Sequence, residues 1–171
     1  MDRIAKFEKV SYEQFKADMI DTYGEMPENE IQDIYDNIKL PKRATKGSAG
    51  YDFFSPITYE IPVGVSAKIP TGIRVRVDNG WVLKIYPRSS FGFKYRMQVD
   101  NTVGIIDSDY YNAKNEGHIF IKVSCDSHDI DTMLKINEGE AFVQGIFVPF
   151  GITEDDDVNQ ERIGGIGSTS K

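Results

Sequence analysis

Histidine, cysteine and tryptophan are scarce in this chain of 171 residues, with two, one and one respectively. The lone Cys125 excludes an internal disulfide, and no Cys/His cluster has zinc-site spacing. His118 and His128 stand apart from each other and read as surface or structural residues. There is no run of about 18 apolar residues, so no membrane-spanning helix is expected. The opening Met1-Asp-Arg-Ile-Ala-Lys6 carries no apolar stretch, so no secretory signal is expected. A reducing compartment follows, the cytoplasm, or the host cytoplasm if the chain is virus-encoded. Excess positive charge is also missing. The net charge of −7 argues against non-specific binding of nucleic acid. It does not exclude a nucleotide whose site supplies its own cations.

The acidity is concentrated. Residues 11–38 hold eight acids (Glu13, Asp18, Asp21, Glu25, Glu28, Glu30, Asp33, Asp36) against Lys16, which equals the net charge of the whole chain. Ser11 and Gln14 fit a capping box, and Tyr12, Phe15, Met19 and Tyr23 form one stripe that Gly24 ends. Pro27 suits the start of a second helix, with Ile31, Ile34, Tyr35 and Ile38 at three- and four-residue spacing. This predicts a helical hairpin, apolar on one side and acidic on the other. Its apolar stripe must be buried, so it is expected to dock on the rest of the chain with its acids in solvent, remote from any anionic ligand. A role in binding a protein partner is the alternative.

What is plentiful after Pro41 is short apolar runs separated by turn residues, the mark of a sandwich or jelly roll. The predicted strands are 49–54, 57–61, 65–69, 72–77, 80–86, 97–106, 118–124, 133–136 and 141–150, with a weaker one within 3–10. Asp78-Asn79-Gly80 reads as a tight hairpin turn between two of them. One domain is expected for this length.

The end of the chain has different chemistry. Arg162-Ile-Gly-Gly-Ile-Gly-Ser-Thr169 has no apolar period. Gly164, Gly165 and Gly167 permit turns whose N–H groups converge on an anion, and Arg162 adds a planar cation suited to phosphate. Four further segments stand out. Ala49-Gly-Tyr-Asp52 sets glycine and aspartate at a strand. Pro87-Arg-Ser-Ser90 ends an apolar strand with a cation and two hydroxyls that can grip an oxyanion. Asn101 to Tyr110 is an apolar hairpin ending in Asp107, Asp109 and Tyr110. In Gly139 to Gln144, the polar Gln144 interrupts an apolar strand. Each taken alone could be a turn, a loop or a satisfied buried amide.

Taken together, in this order and spacing, the five segments resemble the trimeric dUTPases across about residues 40–171. The resemblance implies a mainly β fold, a jelly roll or β-clip, with the acidic helical hairpin as an N-terminal insertion and residues 158–171 as a lid. It implies a homotrimer with active sites across subunit interfaces, and hydrolysis of dUTP to dUMP and pyrophosphate with Mg²⁺. Asp107 would orient the attacking water. Tyr110 would lie against the deoxyribose. Asn101, Gly104 and Ile106 would read uracil through backbone groups. Arg88, Ser89, Ser90 and Gln144 would hold phosphates, with Asp52 supporting. Arg162, Gly164, Gly165, Ile166, Gly167, Ser168 and Thr169 would close over the nucleotide. Mg²⁺ would be held by phosphates and water rather than by side chains.

The chain departs from that pattern at Ile166, where an aromatic residue is usual, at Ala141 and Ser170, in the long segment 111–117, and in the hairpin 11–38. Two rivals remain at this level. A dCTP deaminase of the same fold needs a glutamate on the strand that here reads His118-Ile-Phe-Ile-Lys-Val123. A non-enzymatic β-sandwich binding protein would not need Asp107, Arg88 and the tail together.

Overall fold

The structure is a computed structural model and describes residues 2–159. Among these residues, twelve strands make four antiparallel sheets. The chain opens with β1 (Ala5–Lys9), then helices α1 (Tyr12–Tyr23) and α2 (Glu28–Asn37). It continues through β2 (Lys42–Arg43), β3 (Tyr51–Phe54), β4 (Tyr59–Pro62), β5 (Ser66–Pro70), β6 (Ile73–Val77) and β7 (Trp81–Pro87). A short helix, α3 (Ser89–Tyr95), precedes β8 (Met97–Val99), β9 (Gly104–Ile106) and a 3₁₀ turn at Ser108–Asn112. β10 (Phe120–Cys125), β11 (Met133–Ile136) and β12 (Ala141–Pro149) complete the body.

The largest sheet runs β2-β3-β12-β7-β9, and a second runs β5-β10-β8. Two-stranded pairs β1-β6 and β11-β4 complete the set. The pattern of each strand follows its place. β6, Ile-Arg-Val-Arg-Val, buries alternate residues, as a strand with one wet face must. The central β12 buries Ala141, Phe142 and Val143 in succession, as a strand covered on both faces does. One core cluster joins the sheets through Phe53, Ile69, Leu83, Ile119, Val123 and Phe142.

Several sequence expectations change here. The predicted strand 97–106 is two strands in different sheets, with a turn at 100–103. Asp78-Asn79-Gly80 is a turn, with Trp81 N–H donating to Asp78 O at 3.3 Å, but it does not make a paired hairpin. β6 pairs with β1, while β7 pairs with β12 and β9, so the turn moves the chain between sheets. Pro87-Arg-Ser-Ser90 is the entry to helix α3 rather than a plain loop. Seven residues are too few to show a helical period, and only the Phe91–Tyr95 pair, with rings 6.0 Å apart, could have signalled it.

The helical hairpin forms as expected. Ser11 Oγ accepts from Gln14 N–H at 3.1 Å. The reciprocal half of the capping box is not made by Gln14, whose amide turns to Asp18 at 2.9 Å. Glu116 takes that place, accepting from Ser11 N–H and Ser11 Oγ at 2.7 Å each. Burial tends to raise the Glu116 carboxyl's pKa, but these two bonds and Arg74 hold it below its ordinary value. Phe15, Met19 and Ile31 are fully buried with Val10, forming a second cluster under the hairpin. Tyr23 is the exception in the stripe. Its hydroxyl bonds Tyr59 Oη and donates to Lys68 O, and burial pushes its phenol up to about 12.

Candidate active site

The break between β8 and β9 makes a cleft. β8 is the edge of one sheet and β9 the edge of another, so the two strands diverge and leave a space of about 580 Å³ between them. Val99, Asn101, Gly104 and Ile106 line it from the diverging strands, and Ile85 from β7. Phe120, Lys68 and Lys122 line it from β10 and β5, in the same sheet as β8. An edge strand offers backbone N–H and C=O groups that its own sheet does not use. β9 pairs with β7 on one side only, Gly104 opposite Ile85 and Ile106 opposite Leu83. The mouth turn is tightly tied: Val103 N–H donates to Asn101 O at 2.7 Å and Thr102 N–H to Val99 O at 2.8 Å. Three sequence-picked residues, Asn101, Gly104 and Ile106, are therefore brought together.

Charge at this mouth is paired. Asp100 meets Lys122 at 3.3 Å and accepts from Ser66 at 2.8 Å. Burial would raise its carboxyl, but Ser66, Ser124 and Lys122 outweigh that and hold it low. Lys68 lies 4.4 Å from the Phe120 ring centre and 3.7 Å from Asp21 of α1.

Asp107 directly follows β9, half-buried at the start of the 3₁₀ turn, where its carbonyl accepts from Tyr110 N–H at 3.2 Å. Tyr110 is 2% exposed and does not itself line the cleft; it reaches the cleft through its contact with Asn115. Its hydroxyl donates to His118 O at 2.6 Å and accepts from Asn115 Nδ2 at 2.8 Å. Asn115 lines the cleft, and sequence reasoning missed it. Its only advance signal was its place in the unusual segment 111–117.

A second group gathers at the far end of the large sheet. Asp52 pairs across β3–β12 with Gln144, which stands opposite Tyr86 of β7. Arg88 Nε lies 3.2 Å from Asp52 Oδ1, and its Nη1 donates to Ala141 O at 3.1 Å. Gln144 Nε2 donates to Pro87 O at 3.3 Å. A methyl group at Gly50 would meet Gln144 Oε1, so glycine here leaves room for this amide against the strand. Ser89 and Ser90 are exposed at the start of α3. None of Asp52, Arg88, Ser89, Ser90 and Gln144 lines the cleft between β8 and β9. Within one chain the two groups are separate. Arg162, Gly164, Gly165, Ile166, Gly167, Ser168 and Thr169 lie outside the described residues.

His118 is structural, as one of the sequence readings held, but it is not at the surface. It is fully buried, and Nε2 accepts from Gly72 N–H at 2.7 Å. The proton is therefore on Nδ1, which donates to Asp18 Oδ2 at 2.5 Å. Asp18 is thus an exception to the expectation that all eight acids face solvent, while the other seven are exposed. The hairpin is also less remote than expected, because His118 holds both Asp18 and the Tyr110 hydroxyl.

A family model for dUTPase matches residues 36–170. The chain belongs to the dUTPase family. Over 136 residues it is 43% identical to a deoxyuridine 5'-triphosphate nucleotidohydrolase of Lactococcus lactis, covering 77% of this chain and 88% of that one. The crystal structure of a dUTPase from Streptococcus mutans superposes with a TM-score of 0.63 at 33% identity, covering 86% of this chain and 98% of the other. The dUTPase of Staphylococcus bacteriophage 80alpha shares the fold at 20% identity, with a TM-score of 0.65 over 93% of this chain and 90% of that one. The family match begins at residue 36, so α1 and nearly all of α2 precede it.

Proposed function

We propose that this chain hydrolyses dUTP to dUMP and pyrophosphate, with the nucleoside in the cleft between β8 and β9. The observation that carries this is the cleft itself. It is apolar, edged by the free side of β9, and followed at once by the carboxylate of Asp107. Uracil presents alternating donors and acceptors, which an edge strand can meet with backbone groups near Asn101, Gly104 and Ile106. Tyr110 and Asn115 form the wall that leaves no room for a 2′-hydroxyl. Asp107 orients a water for in-line attack on the α-phosphorus. Holding that water in line with the leaving pyrophosphate contributes as much as removing its proton.

The triphosphate needs cations and N–H or O–H donors. Arg88, Ser89, Ser90 and Gln144 supply these, with Asp52 fixing the Arg88 fork. They lie apart from the cleft of their own chain. A site that uses both groups is therefore built from the cleft of one subunit and the Arg88 group of another, which supports a homotrimer. The tail, with Arg162, Ser168 and Thr169, closes over the phosphates. The described residues bring no three His, Cys, Asp or Glu together, and Asp52 is already paired with Arg88. The donor set thus fits a Mg²⁺ carried on the triphosphate with water, where it neutralises developing charge. The cytoplasm suits such a substrate.

The test is pyrophosphate release measured side by side with dUTP, dCTP, dTTP and UTP, for the wild type and for Asp107→Asn. We expect turnover of dUTP alone, and an Asp107→Asn variant that binds dUTP but turns it over at least about a thousandfold more slowly. Near-normal turnover in that variant would remove Asp107 from the mechanism. Preference for dCTP would overturn the substrate assignment.

A further inference from the structure

The phenol of Tyr110 is held from two sides, by His118 O at 2.6 Å and by Asn115 Nδ2 at 2.8 Å. Its one proton goes to the His118 carbonyl. Only an N–H can then face the phenol oxygen, which fixes which end of the Asn115 carboxamide points there. The other end, Oδ1, is buried and has no hydrogen-bond partner among the described residues. A buried carbonyl left unpaired is costly, and a smaller residue would avoid that cost. Stability of the segment therefore does not explain asparagine at this position.

The segment cannot easily turn Asn115 elsewhere. Its backbone O accepts from His118 N–H at 3.0 Å. Glu116 next to it sits at φ 57° with its carboxylate on Ser11. Gly117 follows at φ 70°, where any Cβ would lie 2.7 Å from Tyr110 O, so no other residue fits. Asn115 is thus clamped with one face on the phenol and another on the cleft that Asn101, Gly104 and Ile106 also line.

We propose that Asn115 is a positioning residue for sugar selection, acting by pinning the buried Tyr110 phenol directly behind the cleft lining. This rests on the reading of the Tyr110 wall as the barrier to a 2′-hydroxyl. A ring anchored at its hydroxyl by both His118 and Asn115 resists the displacement that a ribonucleotide requires. A ring anchored by His118 alone yields more readily.

The test is kcat/KM for dUTP and UTP in the wild type, Asn115→Ala, Tyr110→Phe and the double variant. Asn115→Ala should raise the UTP/dUTP ratio roughly fivefold, the range expected for loss of one neutral hydrogen bond. In the Tyr110→Phe background, where no hydroxyl remains to pin, the same change should leave the ratio unmoved. Asn115→Ser, which also removes the N–H donor, should reproduce the shift if the alanine variant folds poorly. An unchanged ratio in the single variants, or an equal shift in both backgrounds, overturns the proposal. A wild type inactive on dUTP would instead sink the functional reading, and this proposal with it. A Tyr110→Ala variant with unchanged sugar preference would sink the sugar-wall reading while leaving dUTP hydrolysis standing.

Discussion

Replacing His118 by alanine tests how the hairpin is held. The imidazole is fully buried and makes two bonds, one from Gly72 N–H and one to Asp18. Removing it strands the buried Gly72 N–H, which costs about 1–3 kcal/mol. Asp18 loses a donor but keeps Gln14 at 2.9 Å, and its side chain is 16% exposed, so water recovers part of that loss. The ring also packs 4.5 Å from the Phe120 ring centre and 6.2 Å from that of Phe15, and the cavity adds about 1–3 kcal/mol. The total is about 4 kcal/mol. For a chain of this size that corresponds to a fall in Tm of roughly 8–16 °C. Asp18→Asn, which keeps an acceptor for Nδ1–H, should cost only about 1 kcal/mol. Thermal and urea unfolding at one fixed protein concentration measure both, since assembly would make Tm concentration-dependent. A loss below about 1 kcal/mol for His118→Ala would show that the ring does not tie the hairpin to the sheets.

Two further outcomes rest on the geometry of the described residues, and two on the sequence of the tail. Asp52→Ala frees the Arg88 fork, so the KM for dUTP should rise several-fold, while stability changes by about 1 kcal/mol or less because the pair is partly exposed; an unchanged KM would place Arg88 outside the phosphate site. Glu116→Gln tests the N-terminal clamp by pH. The folded carboxyl lies below its ordinary 4.5, so its contribution is present above that value and disappears as pH falls through the lowered folded value. The stability gap between wild type and variant should therefore be widest near neutrality and close under acid, and a gap independent of pH would refute the assignment. Deleting residues 160–171 should leave the fold intact by circular dichroism and lower kcat/KM by orders of magnitude, and Ile166→Phe should tighten dUTP binding, since stacking on a base contributes roughly 1–3 kcal/mol; normal activity without the tail would show that the tail is no lid.

The sequence made the large elements legible where period and caps agreed. Ser11, Gly24 and the Ile31/Ile34/Tyr35/Ile38 spacing located both helices. Alternation in Ile73-Arg-Val-Arg-Val77 located β6. Pairing was not legible, because strand partners depend on contacts far apart in the chain. Asp78-Asn79-Gly80 has the local chemistry of a hairpin turn, yet β1, from the opposite end of the chain, occupies the place beside β6. The run 97–106 reads as one strand because its apolar residues continue across the turn. The break that creates the cleft arises from two sheets competing for its two halves. The candidate site residues were legible as types: Asp52 with Arg88 and Gln144 in one place, and Asn101 with Gly104 and Ile106 in another. Asn115 was not, since a single asparagine in a polar segment carries no period.

The hairpin 11–38 and the segment 111–117 looked like two unrelated departures from the family pattern. In the fold they are one unit. Glu116 completes the cap of α1 through Ser11, and its neighbour Asn115 holds the Tyr110 phenol. Tyr111 donates to Glu8 of β1 at 2.6 Å, and its ring lies 3.7 Å from the Arg74 guanidinium carbon. Arg74 Nη2 donates to Tyr111 O at 2.9 Å, while its Nη1 lies 3.8 Å from Glu116. A helix as short as α1 needs tertiary partners to persist, and the lengthened segment supplies them. The same residues that stabilise the hairpin therefore reach the wall of the cleft. That sets a limit on the simple expectation that removing residues 11–38 would affect stability alone. Without Ser11 and Asp18, Glu116 and His118 lose their partners on the far side from Tyr110. A Gly/Ser linker in place of 11–38 should lower Tm and also relax discrimination against UTP. A linker variant with lowered Tm but unchanged UTP/dUTP preference would show that the segment 111–118 keeps its shape without the hairpin, and that the two departures are coupled in stability only.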